Sequence, residues 1–196
     1  MKGIIFSSIQ SYSPRAYVDL VRTNRNYRLY LLSHLCQHSG DWFVRIAAIL
    51  SAGRLKPGSA TALSVLILAR AIPEIFFSPV GGFLADRLDR RKLMIFFDSL
   101  AALAAIGFII ALHLESIILL YVATAFRSII SALYEPITKS IVPMFVEDPE
   151  ELKIAATLNG MAWSSMLMIG GVVAGYASAT FGVEACYGMF ICSPRF

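Results

Sequence analysis

Gly82-Phe83-Leu84-Ala85-Asp86-Arg87-Leu88-Asp89-Arg90-Arg91-Lys92 lies between two long apolar blocks, Ala62–Ala85 and Leu93–Leu112. A small residue closes the first block, an acid follows, and Arg87, Arg90, Arg91 and Lys92 crowd the turn. Each flanking block is about 20 residues long, the length of a helix that crosses ~30 Å of hydrocarbon. Cations beside such a block anchor that end at the cytoplasmic surface. The stretch therefore reads as a tight turn between two transmembrane helices, and the chain as an all-α membrane protein.

Composition agrees. Of 196 residues, 57% are hydrophobic and 15% charged, against about 25% charged in an ordinary soluble domain. Mean hydropathy is +0.68. These values exclude a disordered chain and a disulfide-stapled secreted module. The net charge of +4 sits beside the apolar blocks, so it orients the chain in a bilayer and does not point to nucleic acid. Cys36, Cys186 and Cys192 form no CxxC and no metal-ligand spacing, so neither a metal nor a cofactor is expected.

Outward from the turn, spanning helices are expected at about 29–52, 62–85, 93–112, 116–134 and 154–179. A sixth is expected to begin near Val183 and to be cut short by Phe196. Residues 1–26 read as a basic cytoplasmic tail, with an organelle transit peptide as the alternative. With the N-terminus inside, the inner segments carry eleven Lys and Arg, and the outer ones only Arg54 and Lys56. That imbalance predicts a multi-pass protein with a cytoplasmic N-terminus, in the plasma membrane or alternatively an organelle membrane.

Charges inside the blocks are informative, because each costs ~2.5–3.5 kcal/mol in hydrocarbon even on a lenient scale. His34, His38, Asp41 and Arg45 follow one another by four, three and four residues, which is one helix face. Such a stripe lines an aqueous path; alternatively Asp41 and Arg45 simply neutralise each other. Arg70 and Glu74 repeat the spacing on the second block, and Arg127 shares a face with Glu135 on the fourth. A buried Arg127 needs an acid from another helix or from Glu135. On the fifth block Gly170, Gly171 and Gly175 mark close helix packing. No nucleophile–base pair, HExxH or phosphate loop is present, so a membrane enzyme is not expected.

The turn is more specific than its physics requires. It resembles the signature loop of the major facilitator superfamily, G-x-L-A-D-R-x-G-R-R/K, matched by Gly82, Leu84, Ala85, Asp86, Arg87, Arg90 and Arg91. Asp89 stands where many members have glycine. The D-R-x-D-R-R form is similar to the branch of proton-coupled efflux proteins that includes macrolide and enterobactin exporters. Asn24 to Arg28, Ser39 to Trp42, Pro73 and Pro79, Pro136 to Pro143, and Asn159 are similar to that branch as well. The Gln-Gly that often follows the fourth-helix arginine is absent after Arg127, and Gly171 replaces the proline of the antiporter motif.

The resemblance implies the N-terminal six-helix half of a major facilitator fold, its sixth helix truncated. It implies alternating access between two halves around a midplane site. Asp86, Arg87 and Arg90 would then form the charge relay of a conformational-switch loop. Asp41 and Glu74 would be the candidates for proton coupling, and Arg45 or Arg127 would counter their charge or meet an anionic substrate. The partners implied are the bilayer, a small solute, a proton, and the missing C-terminal half. The competing expectation is a truncated, non-transporting membrane protein that binds a full-length partner.

Overall fold

The structure, a computed structural model, describes residues 14–146, 148–183 and 186–188, apart from the side chains of Pro14 and Arg91. Residues 1–13 of the tail, Cys192 and most of the expected sixth helix lie outside the described residues. Six helices follow in order: α1 (Pro14–Thr23), α2 (Arg25–Leu55), α3 (Ala60–Arg87), α4 (Arg90–His113), α5 (Ile117–Phe145) and α6 (Pro149–Phe181). At ~1.5 Å of rise per residue, each of the last five is longer than a bilayer core is thick. Helices α3 to α6 are also apolar enough to cross a membrane. Helix α2 is long enough but carries the polar stripe.

Side-chain caps set the helix starts. Asn24, Ser59, Ser116 and Asp148 accept from the backbone N–H of Tyr27, Ala62, Leu119 and Glu150. Each satisfies a donor that the first turn leaves orphaned. Between α2 and α3 the chain turns through Gly58 at φ +72°, a conformation that suits a residue without Cβ.

Helix α5 runs past Tyr134 and through Pro136 and Pro143 to Phe145, beyond the end expected from the sequence. Proline removes an N–H from the helix ladder and frees the carbonyl four residues back. The Thr138 hydroxyl donates to Glu135 O at 2.8 Å and the Ser140 hydroxyl to Ile137 O at 2.7 Å, which are not the freed carbonyls. Pro136 leaves the Ala132 carbonyl without its usual donor. Gly81 of α3 packs against that spot: a Cβ there would lie 2.9 Å from Ala132 O and 2.7 Å from Leu133 O.

Helix α5 is central, with α3 and α4 along it, while α2 packs along α6 and touches α5. The α4 side of the core is rich in small residues, Ala101, Ala104, Ala105 and Ala111, against Leu120, Ala123, Ile130 and Ile137 of α5. Small side chains let helices approach closely where lipid gives no hydrophobic drive between them. Beyond α6, Tyr187 stacks on Phe108 at 5.0 Å, and its hydroxyl lies 3.2 Å from Ser51 Oγ. The chain thus returns between α2 and α4.

A second apolar cluster sits at the end that carries the α3–α4 loop. Leu20 of α1 packs there with Tyr27, Val142, Val146 and Ile154. The amphipathic helix α1 therefore docks on the bundle. Reading residues 1–26 as a tail names no helix there.

Candidate functional site

Asp41 and Arg45 of α2, Arg70 and Glu74 of α3 and Arg127 of α5 lie on helices that contact one another. Arg127 Nη2 of α5 donates to Asp41 Oδ1 of α2 in an ion pair. The Arg127 side chain is 12% exposed and that of Asp41 31%. The alternatives left open by spacing resolve in favour of an acid from another helix. Asp41 turns to α5, not to Arg45, and Glu135 is engaged by Lys139 at 2.7 Å. Ser128, one residue after Arg127, donates to Arg70 O of α3 at 2.6 Å.

Arg70 and Glu74 form a pair within α3 at 3.6 Å, both about two-fifths exposed. Toward the loop end of α2, His34 and His38 bring their Nε2 atoms to 3.1 Å, one donating and the other accepting. Tyr30 stacks on His34 at 5.5 Å.

Arg45 has a different partner. Its guanidinium lies over the Trp42 ring, 4.3 Å from the centroid. Among the described residues no carboxylate comes within ion-pair distance of it. Arg70, Asp41 and Glu74 are within its electrostatic reach. Stacking on Trp contributes ~0.5–2 kcal/mol, whereas an arginine in the membrane interior costs ~2.5–3.5 kcal/mol. The ring alone does not balance the charge, so the guanidinium needs water or an anion as well.

Trp42 is itself held by α6. A Cβ on Gly170 would fall 2.8 Å from two atoms of the indole, so this glycine makes room for the ring. Gly171 lies at the ring's far edge, where a Cβ would come within 4.0 Å. Around Gly175 and Gly82 a Cβ would meet nothing within 4 Å. The glycine that lets α3 reach α5 is instead Gly81; its only signal in the sequence is its place beside Gly82.

The switch-loop residues divide in two. Arg90 is anchored: Nη1 donates to Ser140 O of α5 at 2.8 Å and Nε to Ala85 O at 3.2 Å. Asp89 caps α4 by accepting from Lys92 N–H at 3.3 Å. Arg87 lies over the Phe83 ring at 4.4 Å. Asp86 is exposed and makes no ion pair among the described residues. The side chain of Arg91 lies outside the described residues.

The same end holds a clamp that spacing did not single out. Asn24 Nδ2 donates to Phe145 O, the last carbonyl of α5, at 2.7 Å, while its Oδ1 caps α2. The Tyr27 hydroxyl donates to Ala155 O at 3.0 Å and to Asn159 Oδ1 at 3.3 Å on α6. One turn of α2 thus fixes the ends of α5 and α6. Among the described residues no group of three or more His, Cys, Asp or Glu could hold a metal.

A bundle of long apolar helices with a charged seam between them is an integral, multi-pass membrane protein. Residues 30–193 match the family model described as Major Facilitator Superfamily, and the chain belongs to that superfamily. It is 24% identical over 168 residues to an uncharacterised MFS-type transporter, YfiS, of Bacillus subtilis, covering 86% of this chain and 39% of that one. It is 31% identical over 121 residues to macrolide efflux protein A of Streptococcus pyogenes, covering 61% and 30%. The protein of the same name from Enterococcus faecalis is 31% identical over 119 residues, covering 60% and 36%. The chain thus spans between about three-tenths and two-fifths of the length of these relatives. No solved structure matches it.

Proposed function

We propose that this chain forms the N-terminal half-bundle of a secondary transporter that exports small amphipathic solutes by alternating access, coupled to protons. The observation that carries the reading is the Asp41–Arg127 pair, which joins α2 to α5 inside an apolar bundle. Proton uptake by Asp41 removes the attraction that holds Arg127, so the two helices exchange one set of contacts for another. Protonation is thereby linked to helix position, which is what coupling requires. The Arg70–Glu74 pair is the second proton candidate, at a more exposed place. Relatives named for macrolide efflux support the outward direction.

The Arg90 anchor supports a switch role for the α3–α4 loop. It fixes the loop to α5 and leaves Asp86 and Arg87 exposed toward a second helical half. That half comes from the C-terminal part of the transporter or from a full-length partner. The Lys and Arg imbalance supports a cytoplasmic N-terminus; the membrane is the plasma membrane or, alternatively, an organelle membrane.

The test is efflux from cells deprived of other exporters, with and without a proton gradient. Asp41→Asn should abolish gradient-driven efflux, and Asp41→Glu should retain part of it. Efflux unchanged in Asp41→Asn removes this carboxylate, and with it the proposed coupling.

A further inference from the structure

His34 and His38 take no part in the proton step assigned to Asp41. They stand one turn apart on α2, on one face, and both are half-buried. Their Nε2 atoms lie 3.1 Å apart, and their ring centroids only 4.2 Å apart. Rings joined end to end by a hydrogen bond of that length would hold their centroids ~5 Å apart or more. The imidazoles therefore lie side by side, at 71° to one another, with their Nε2 ends turned together. Tyr30 stacks on His34 from the preceding turn and fixes that ring.

Two imidazole nitrogens bound to one divalent ion at ~2.0–2.1 Å, at the angles of a tetrahedral or square site, stand ~2.9–3.4 Å apart. The 3.1 Å separation falls in that range. Histidines four residues apart on a helix meet the same condition in HExxH sites, because the spacing puts both on one face. Cysteine spacing carries no metal signal in this chain, and the described residues hold no cluster of three ligands. A pair of nitrogens can still chelate an ion whose other positions are filled by water. Imidazole suits zinc, copper and nickel, whereas magnesium and calcium take oxygen ligands. The charged groups that act on the pair are Asp41 of α2 and Glu135 and Lys139 of α5. Lys139 and Glu135 are 71% and 51% exposed in their own pair. Such a pair is weakly held, so Glu135 can release Lys139 and answer an ion at the histidines. We infer that His34 and His38 form a two-histidine chelate for a divalent transition-metal ion near the loop end of α2.

The chain has three histidines, and the third, His113, ends α4. An untagged protein therefore reports on the pair directly. Zn²⁺ is titrated by calorimetry into the untagged full chain in phosphatidylcholine nanodiscs, with empty discs subtracted and Mg²⁺ as the control ion. Zn²⁺ should bind saturably, one ion per chain, and Mg²⁺ should not bind. His34→Gln and His38→Gln keep a hydrogen-bonding amide in place and lose the imidazole. Each should weaken Zn²⁺ binding by ~100-fold, because the second ligand of a chelate binds as an intramolecular contact. His113→Gln and Cys36→Ser should leave the affinity unchanged. Absence of saturable Zn²⁺ binding overturns the inference. So does an affinity unchanged in folded His34→Gln or His38→Gln, or binding lost with His113 or Cys36 instead.

Metal binding does not depend on the transport reading above, and the two fail separately. Efflux lost in Asp41→Asn, with no Zn²⁺ bound, leaves transport standing and removes the metal site. Zn²⁺ binding that needs both histidines, with efflux untouched by Asp41→Asn, keeps the metal site and removes the proton coupling.

Discussion

The loop end of the bundle and its charged seam hold their helices together in different ways. At the loop end, Asn24, Tyr27 and Arg90 donate to the backbone carbonyls of Phe145, Ala155, Ser140 and Ala85. A backbone carbonyl has no alternative position and no titration. At the seam, Asp41 holds Arg127 by charge, and Arg45 rests on a ring. A carboxylate can take a proton, and a guanidinium can change partners. The loop end therefore holds its helices by contacts that do not titrate, and the seam by contacts that can exchange. Under the transport reading proposed above, the first would keep the loop end in one piece and the second would let the bundle rock around a midplane site.

Arg127→Ala would strain this contrast most. It leaves Asp41 charged and without its partner in the bundle. Breaking a buried pair costs ~3–5 kcal/mol, and the partial exposure of Asp41 brings the expected loss down to ~2–3 kcal/mol. Thermal unfolding in detergent measures it. The double variant Asp41→Ala/Arg127→Ala should be more stable than Arg127→Ala alone, because no uncompensated charge remains. If the double variant is the less stable of the two, charge is not what holds the seam.

Gly81→Ala probes the rigid side next. The added Cβ meets backbone atoms of α5 at 2.7–2.9 Å, and neither helix backbone yields as a side-chain tip does. Overpacking of this kind costs ~1–3 kcal/mol. Gly82→Ala, one residue on and facing open space, should cost nothing and gain ~0.5–1 kcal/mol from helix propensity. Equal melting temperatures for the two variants would show that α3 and α5 are not in close contact.

The smallest expected effect is at the clamp. Asn24→Ala removes the α2 cap and the bond to Phe145 O together, ~1–2 kcal/mol in all. Backbone amide exchange at the end of α5 should rise in this variant and stay unchanged at residues 120–130. Exchange that rises along the whole of α5 would mean that the end and the seam are one cooperative unit, and would dissolve the contrast.

The seam was partly legible in the sequence. Helical spacing places His34, His38, Asp41 and Arg45 on one face, and the cost of charge in a membrane marks that face as important. The same spacing offers Asp41–Arg45 and Arg127–Glu135 as pairs, and the fold uses neither. Asp41 and Arg127 stand 86 residues apart, and only the packing of α2 against α5 brings them together. The extent of α5 was hidden for a related reason. Pro136 and Pro143 lie beyond the end expected at residue 134, and the close approach of Gly81 to the Ala132 carbonyl exists only in the folded bundle. Gly81 and Gly82 are indistinguishable by type, and only the position of α5 separates them.

The sequence by itself determined that this is a helical membrane protein with a superfamily loop at 82–92. Apolar length, charge placement and the order of residues in one turn are local properties. Tertiary structure decided which charges meet, which arginine stacks on a ring, and which glycine touches a neighbour. Those depend on how each helix is rotated about its axis and how closely it approaches the next, which no single helix encodes.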